Sequence, residues 1–219
     1  MLAPVNRSTV GGLTWVWWRQ TVGIQARMPK IVDRDRYRKE LLDKAFDVFA
    51  AKGYGATTMQ VLAKGIGVST GTLYHYFGSK QELFEQLVAE VASQDIVAAT
   101  ADIATRLTLK ERVKGVFEFL AANEEFYFKQ CLLYVSFCHQ QDLADSSTRI
   151  ALKHAYDRYH QAILDSIQVS DRRLAEYLLC IMDGLIVQRL YHPDIISFDE
   201  QIPLVIQLLE TYEAQQQTK

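Results

Sequence analysis

Cysteine is scarce and badly spaced for bridging. Only Cys131, Cys138 and Cys180 among 219 residues carry a thiol, an odd number with no C-x-x-C pair. That excludes a disulfide-stapled scaffold and leads to the expectation of a reducing, cytoplasmic setting. Cys131 and Cys138 stand seven residues apart, on one helix face, and read as buried free thiols, with a redox sensor as the alternative. Proline is also sparse, at four. No segment alternates apolar with polar residues, so strands are not expected. Long apolar runs are missing. Residues 13–18, LTWVWW, are apolar over six positions, against the roughly 20 that cross a bilayer. They follow Arg7 without a small-residue cleavage site, so neither a membrane span nor a signal peptide is expected. There is no G-x-S-x-G, phosphate loop, H-E-x-x-H or paired metal carboxylates, which argues against an enzyme with a helical fold. His139, His154 and His160 lack ligand spacing, so no metal or other cofactor is expected.

What is present is enough apolar material for a core, and an uneven charge. With 49% hydrophobic and 23% charged residues, the chain suits a globular protein of one or two domains. The net charge of −2 hides an asymmetry. Residues 28–80 hold nine Lys/Arg against five Asp/Glu, a surplus of +4; residues 81–219 hold twelve against twenty-one, a deficit of −9. Residues 1–27 carry three arginines and no acid. A polyanionic partner would therefore meet the front half. Chance alone could produce the surplus; it gains weight from the motif in the same segment.

Apolar residues recur at helical spacing throughout. Leu42, Ala45, Phe46 and Phe49 form one stripe of a helix over 35–52, ended by the Gly53-Tyr54-Gly55 turn. Thr58, or Thr57, can cap a second helix reaching about Lys64, with Val61, Leu62 and Ile66 inward. Ser79 with Glu82 forms a capping box for a fourth helix that carries Leu83, Phe84, Leu87, Val88 and Val91 towards Arg106. Further helices are expected over 110–123, 125–140, 146–167, 171–191 and 198–214, with breaks at Thr108, Asn123, Asp142 to Asp145, Val169-Ser170 and His192-Pro193. The tail from Ala214 is expected to fray.

The segment 65–79, GIGVSTGTLYHYFGS, reads as the end of one helix, a glycine turn and a short second helix. Gly67 suits a left-handed helix end, and Ser69 suits the next N-cap. Val68, Leu73 and Phe77 are the inward set, which leaves Thr70, Thr72, Tyr74, His75 and Tyr76 on the other face. Small polar groups outward and apolar groups inward suit a helix that enters the DNA major groove.

Residues 38–87 resemble the N-terminal domain of TetR-family transcriptional regulators. The likeness is carried by an amphipathic helix, the G-Y-x-x-T-T link over 53–58, the helix-turn-helix, and the Y-H-Y-F-x-S-K-x-x-L exit over 74–83, in register without a gap. The resemblance implies an all-α fold of about nine helices. A three-helix DNA-binding domain would occupy 28–80 and a helical effector-binding and dimerisation domain 81–219. Residues 1–27 would be a disordered extension or upstream sequence ahead of a start at Met28; a basic arm using Arg7, Arg19 and Arg27 is the alternative. The implied partner is double-stranded DNA, met by a homodimer on a palindromic operator. Thr58, Ser69, Thr70, Gly71, Thr72, Tyr74, His75, Tyr76 and Lys80 would form the contact surface, Gly71 by allowing close approach to DNA or to a neighbouring helix. Singly, each has a plainer reading: a half-buried aromatic, a surface histidine, a solvated lysine. Thr70 stands where many relatives have Lys or Arg, and Gly78 where proline is frequent. The third helix lacks Arg and Asn, so no half-site is readable.

The resemblance also implies a small apolar or aromatic effector and a repressor's response to it. Aromatics crowd the middle helices, and Phe117, Tyr134, Phe137, Tyr156, Tyr177 and Met182 are the candidate lining; plain core is the alternative. For pairing, the last two helices offer Leu178, Ile181 and Leu185 on one and Val205, Leu208 and Tyr212 on the other, unless these stripes face the subunit's own core. A rival function is a helical interaction or sensor protein that no longer binds DNA.

Overall fold

The structure, a computed structural model, describes residues 33–140, 146–169 and 171–217. The expectations for 1–27, for the break at Asp142 to Asp145 and for Ser170 lie outside the described residues. Nine helices and no strands occur among the described residues. They are α1 Arg34–Lys52, α2 Met59–Ile66, α3 Thr70–Tyr76, α4 Lys80–Ile103, α5 Leu109–Ala122, α6 Glu124–Gln140, α7 Ser146–Ile167, α8 Arg172–Tyr191 and α9 Phe198–Gln217.

Local chemistry sets the ends. At Gly53 (φ 75°) and Gly67 (φ 83°) the chain takes the left-handed conformation that glycine reaches without strain. Thr108 and Glu111 form a reciprocal capping box for α5, and the Asp171 carboxylate accepts the Arg173 N–H at the start of α8. Two ends differ from expectation. The fourth helix stops at Ile103 rather than Arg106 because Arg106 turns away to Glu118 (3.1 Å) and to the Glu111 carbonyl (3.1 Å). The ninth runs on to Gln217 rather than fraying from Ala214, glutamine being a good helix former.

Two cores organise the bundle. The first joins α1 to α4 around Phe46, Phe49, Leu62, Leu73, Phe77 and Phe84, and is closed by Leu133 and Phe137 of α6 and Ala155 of α7. The second joins α5, α7, α8 and α9 around Phe117, Leu120, Ile167, Leu178 and Leu209. The middle of α4 packs along α7, and Arg158 ties the two by donating to the Ala89 carbonyl at 2.9 Å. Lys39–Glu90 (3.0 Å) and Gln94–Asp43 (3.3 Å) fasten α1 to α4. Gly65 allows α2 its approach to α1, since a Cβ there would stand 2.6 Å from Val48 Cγ2.

The thiols are less hidden than expected. Cys131 and Cys138 are half-buried and Cys180 is exposed, because each sits beside rather than on its helix's buried stripe. Burial pushes the Cys131 thiol up, away from the reactive thiolate.

Candidate nucleic-acid interface and internal cavity

The turn between α2 and α3 is built from backbone geometry. The N–H groups of Gly67 and Val68 both reach the Ala63 carbonyl at 2.9 Å, closing α2. Ser69 is extended and caps α3: its Oγ accepts the Thr72 N–H at 3.0 Å and shares a 2.8 Å hydrogen bond with Thr72 Oγ1. Thr58 caps α2 in the same way, accepting the Val61 N–H at 3.2 Å. Thr57 is buried and donates to the Gly53 carbonyl, which resolves the choice between the two threonines. Leu73 and Phe77 are fully buried and Val68 half-buried, anchoring α3 from beneath.

These anchors leave an outward face. Tyr74 is 55% exposed; Thr58, Ser69, Gly71 and His75 are exposed, and Thr70 and Thr72 half-buried. Gly71 has only Ser69 Oγ, at 3.7 Å, near a notional Cβ. Packing inside the subunit therefore does not require glycine there, which corrects the close-packing half of its expected role. Tyr76 is turned partly inward. Its ring meets Tyr37 edge-on at 5.5 Å and lies 5.8 Å from the Arg34 guanidinium, so its plainer reading as a half-buried aromatic holds. Arg34 is exposed at the first turn of α1, beside α3. Sequence reading missed it, although the Arg34/Arg38 spacing of four was a legible signal for one face.

Lys80 is not a free charge. Its ammonium donates to the Tyr54 carbonyl at 3.0 Å and sits 4.1 Å from the Tyr54 ring, and burial lowers its pKa. At the same helix start the Glu82 N–H donates to Ser79 Oγ (3.0 Å). The returning carboxylate takes the Gly78 N–H (3.0 Å) rather than that of Ser79, so the box is stretched by one residue and holds the glycine exit.

The back half encloses a cavity of about 420 Å³ between α4, α5, α6, α7 and α8. Of the predicted lining, Tyr134, Tyr156 and Met182 are there. Phe117 and Phe137 are not: each is fully buried, Phe117 in the second core and Phe137 stacked on Phe84 at 4.2 Å in the first. Tyr177 is on the far side of α8, 45% exposed, in a shallow groove with Leu208 and Tyr212. Sequence reading missed Asp95, Tyr127, Gln130 and Tyr159. The signal was faint: Asp95 is a lone acid at a helical position where Leu87, Val88, Val91 and Ala92 are buried. Tyr127 donates to Asp95 Oδ1 at 2.8 Å, and Gln130 Nε2 donates to Tyr159 Oη at 3.2 Å. No group of residues suited to a metal ion occurs among the described residues. His160 is buried, with Nε2 3.0 Å from the Arg172 carbonyl oxygen.

The proposed pairing residues divide. Leu178, Leu185 and Val205 are buried in the subunit's own second core, and Ile181 is half-buried, packed on it. The Tyr212 hydroxyl donates to Asp171 and accepts from Arg173 (2.8 Å). Leu208 is 53% exposed, as is Leu204 one turn earlier. Periodicity marks a stripe as apolar but not which side of a two-helix layer it covers.

Comparison with known proteins adds an independent line. The profile of the bacterial regulatory proteins of the tetR family matches residues 41–87. The HTH-type transcriptional regulator BetI of Rhizobium meliloti (strain 1021) is 25% identical over 182 residues, covering 81% of this chain and 89% of that protein. The HTH-type transcriptional repressor KstR2 of Mycobacterium tuberculosis (strain ATCC 25618 / H37Rv) is 34% identical over 103 residues, covering 44% of this chain and about half, 48%, of its own length. The crystal structure of a transcriptional regulator from Pseudomonas aeruginosa PAO1 shares the fold, with a TM-score of 0.69 at 15% identity over 84% of this chain and 93% of that one. An all-α bundle, a capped helix-turn-helix with an outward hydroxyl and aromatic face, and these matches agree: residues 41–87 carry the DNA-binding signature of the tetR family, and the chain as a whole is similar to HTH-type transcriptional regulators.

Proposed function

We propose that the chain works as a homodimeric repressor that binds a pseudo-palindromic operator through α3 and is released by a small effector held in the α4–α8 cavity. Residues 34–80 are the reader and the helices beyond supply sensing and pairing, with α4 common to both. The observation that carries this reading is the face of α3: Tyr74 is largely exposed while Leu73 beneath it is fully buried, so the helix is anchored and its outer surface left for a partner. In the major groove, Tyr74, Thr70 and the Ser69 end of α3 would meet phosphates, with His75 nearer base edges. Arg34 and Thr58 would touch the flanking backbone. Lys80 keeps two N–H donors beyond the one given to Tyr54. One short helix reads few base pairs, so two copies about one DNA turn apart, ~34 Å, are required. The exposed Leu204, Leu208 and Tyr177 offer the pairing surface.

Coupling follows from two shared elements. On α6, Gln130 and Tyr134 line the cavity, while one turn on Ser136 Oγ accepts the Tyr54 N–H at 3.1 Å and the Phe137 ring lies 4.8 Å from Tyr54. On α4, Asp95 lines the cavity and Phe84 packs in the reader's core. A ligand that moves either helix shifts the reader by no more than its differential affinity for the two arrangements. The test is selection of bound fragments from genomic DNA, followed by the sedimented mass of protein and complex. A two-fold symmetric site bound by two chains supports the reading. A monomer, or a protein that selects no sequence at low salt, overturns it.

A further inference from the structure

Resting on the reading of the α4–α8 cavity as the effector site, we propose that its ligand is an organic monocation: an amine or quaternary ammonium with an apolar body. The charge of the cavity has one sign. Asp95 and Asp183 line it, and no Lys, Arg or His does so among the described residues. Asp95 is 5% exposed and stands in the middle of α4. Its hydrogen-bond partners are phenols: Tyr127 donates at 2.8 Å, and Tyr159, itself held by Gln130, donates as well. Both partners are neutral, so they orient the carboxylate without neutralising it. A buried carboxylate lacking a counter-charge is costly, and burial pushes Asp95 up to about 6. Its burial among neutral phenols leaves this carboxyl without a counter-charge in a largely apolar chamber.

The wall around it suits a cation. Tyr127, Tyr134, Tyr156 and Tyr159 line the same cavity, and aromatic faces attract ammonium groups most strongly when both are out of water. Tyr134 Oη is buried in the same wall, with the Gln130 amide as its polar neighbour. Asp183 places a second carboxyl in the lining, and burial raises its pKa as well. A carboxylate or phosphate ligand would meet like charge with no basic side chain to receive it. A pure hydrocarbon would seal Asp95 in with its charge uncompensated. A monocation supplies the missing counter-charge, and about 420 Å³ admits one with a ring and a short chain.

Three probes with one phenylalkyl body and heads of different charge test this: phenylbutyl-trimethylammonium, phenylbutanol and phenylbutyrate, titrated calorimetrically into the full chain at neutral pH. The cation is expected to bind about tenfold or more tighter than the alcohol, with the carboxylate weakest. Near pH 6 its binding should expel a proton from Asp95, so the measured heat should change with the ionisation enthalpy of the buffer. Asp95→Asn should level the three affinities and abolish the buffer effect; should that variant not fold, the probe ranking and buffer dependence of the native chain decide alone. Phenylbutanol or phenylbutyrate binding as tightly as the cation, and releasing DNA, overturns the charge inference while the effector reading stands. Failure of every probe to bind at millimolar concentration overturns both.

Discussion

Tyr74 and Gly71 occupy the same short helix and separate two kinds of importance. Tyr74 is largely exposed, so its ring adds little to the stability of its own subunit. Tyr74→Ala should therefore weaken binding to operator and random DNA alike, by about tenfold, with an unchanged melting temperature. Gel-shift titrations at fixed salt check this, and an unaltered operator affinity would remove Tyr74 from the interface. At Gly71 the space around a notional Cβ is nearly open. Gly71→Ala should leave stability unchanged or raise it by up to about 1 kcal/mol through helix propensity, while DNA affinity falls because the methyl group holds the helix away. Asp43 and Asp95 pull stability one way with pH, opposite to Asp171, Asp157, Glu111 and Glu125, whose hydrogen bonds lower their pKa values. Burial raises Asp43 and Asp95 each from an ordinary value of 3.8 to about 6, so the folded chain binds these protons more tightly than the unfolded chain. Their contribution to stability is then most favourable below about pH 4 and declines as pH rises towards 6. The urea midpoint of the native chain minus that of Asp95→Asn should show the Asp95 share of this decline across that range.

At the level of elements, α6 is the helix through which the proposed coupling would run, since it touches both the cavity and Tyr54. Ser136 Oγ receives the Tyr54 N–H, and Tyr54 in turn receives Lys80 on its carbonyl. The link after α1, the start of α4 and the end of α6 thus meet at one residue. Ser136→Ala removes the acceptor and should cost about 1 kcal/mol of stability. It should also blunt effector-induced DNA release while leaving the ligand affinity of the cavity close to native. Parallel calorimetry and DNA-release assays measure the two quantities separately; a proportional loss of both would place the coupling elsewhere. The aromatic contacts of Tyr54 with Phe49, Phe84 and Phe137 make this junction stiff, which suits transmission better than a loop would.

For the whole molecule, the division of charge and the proposed pairing of copies set the expectations. Leu208 is outside the subunit core, whereas Leu209 beside it is fully buried. Leu208→Glu should thus leave the subunit folded but place a charge in the proposed pairing face. Sedimentation should show a shift towards monomer with an unchanged helical spectrum, and operator binding should fall with it. A dimer that survives the substitution would move the interface off the α8–α9 groove. The deficit of −9 over 81–219 disfavours a polyanion there, so in the proposed reading DNA meets the front half alone.

Spacing and local chemistry determined the helices, several of their caps and the reader's inward residues. Gly67, Ser69 and Thr58 do in the structure what their chemistry suggested, because capping is local: each group bonds within about four residues of itself. The helical ends that shifted, at Ile103 and Gln217, did so by contacts or propensities at the margin. What the sequence could not determine is which neighbour covers an apolar stripe. Leu178 and Tyr177 are adjacent on α8, yet one is sealed in the core and the other faces out. Phe137 and Tyr134 share α6, yet one stacks under the reader and the other lines the cavity. Asp95 has no meaning as a site until Tyr127 and Tyr159, 32 and 64 residues further along the chain, are folded around it. Helical periodicity is a property of one segment; a cavity is a property of five helices packed together, and only tertiary structure decides where they fail to touch.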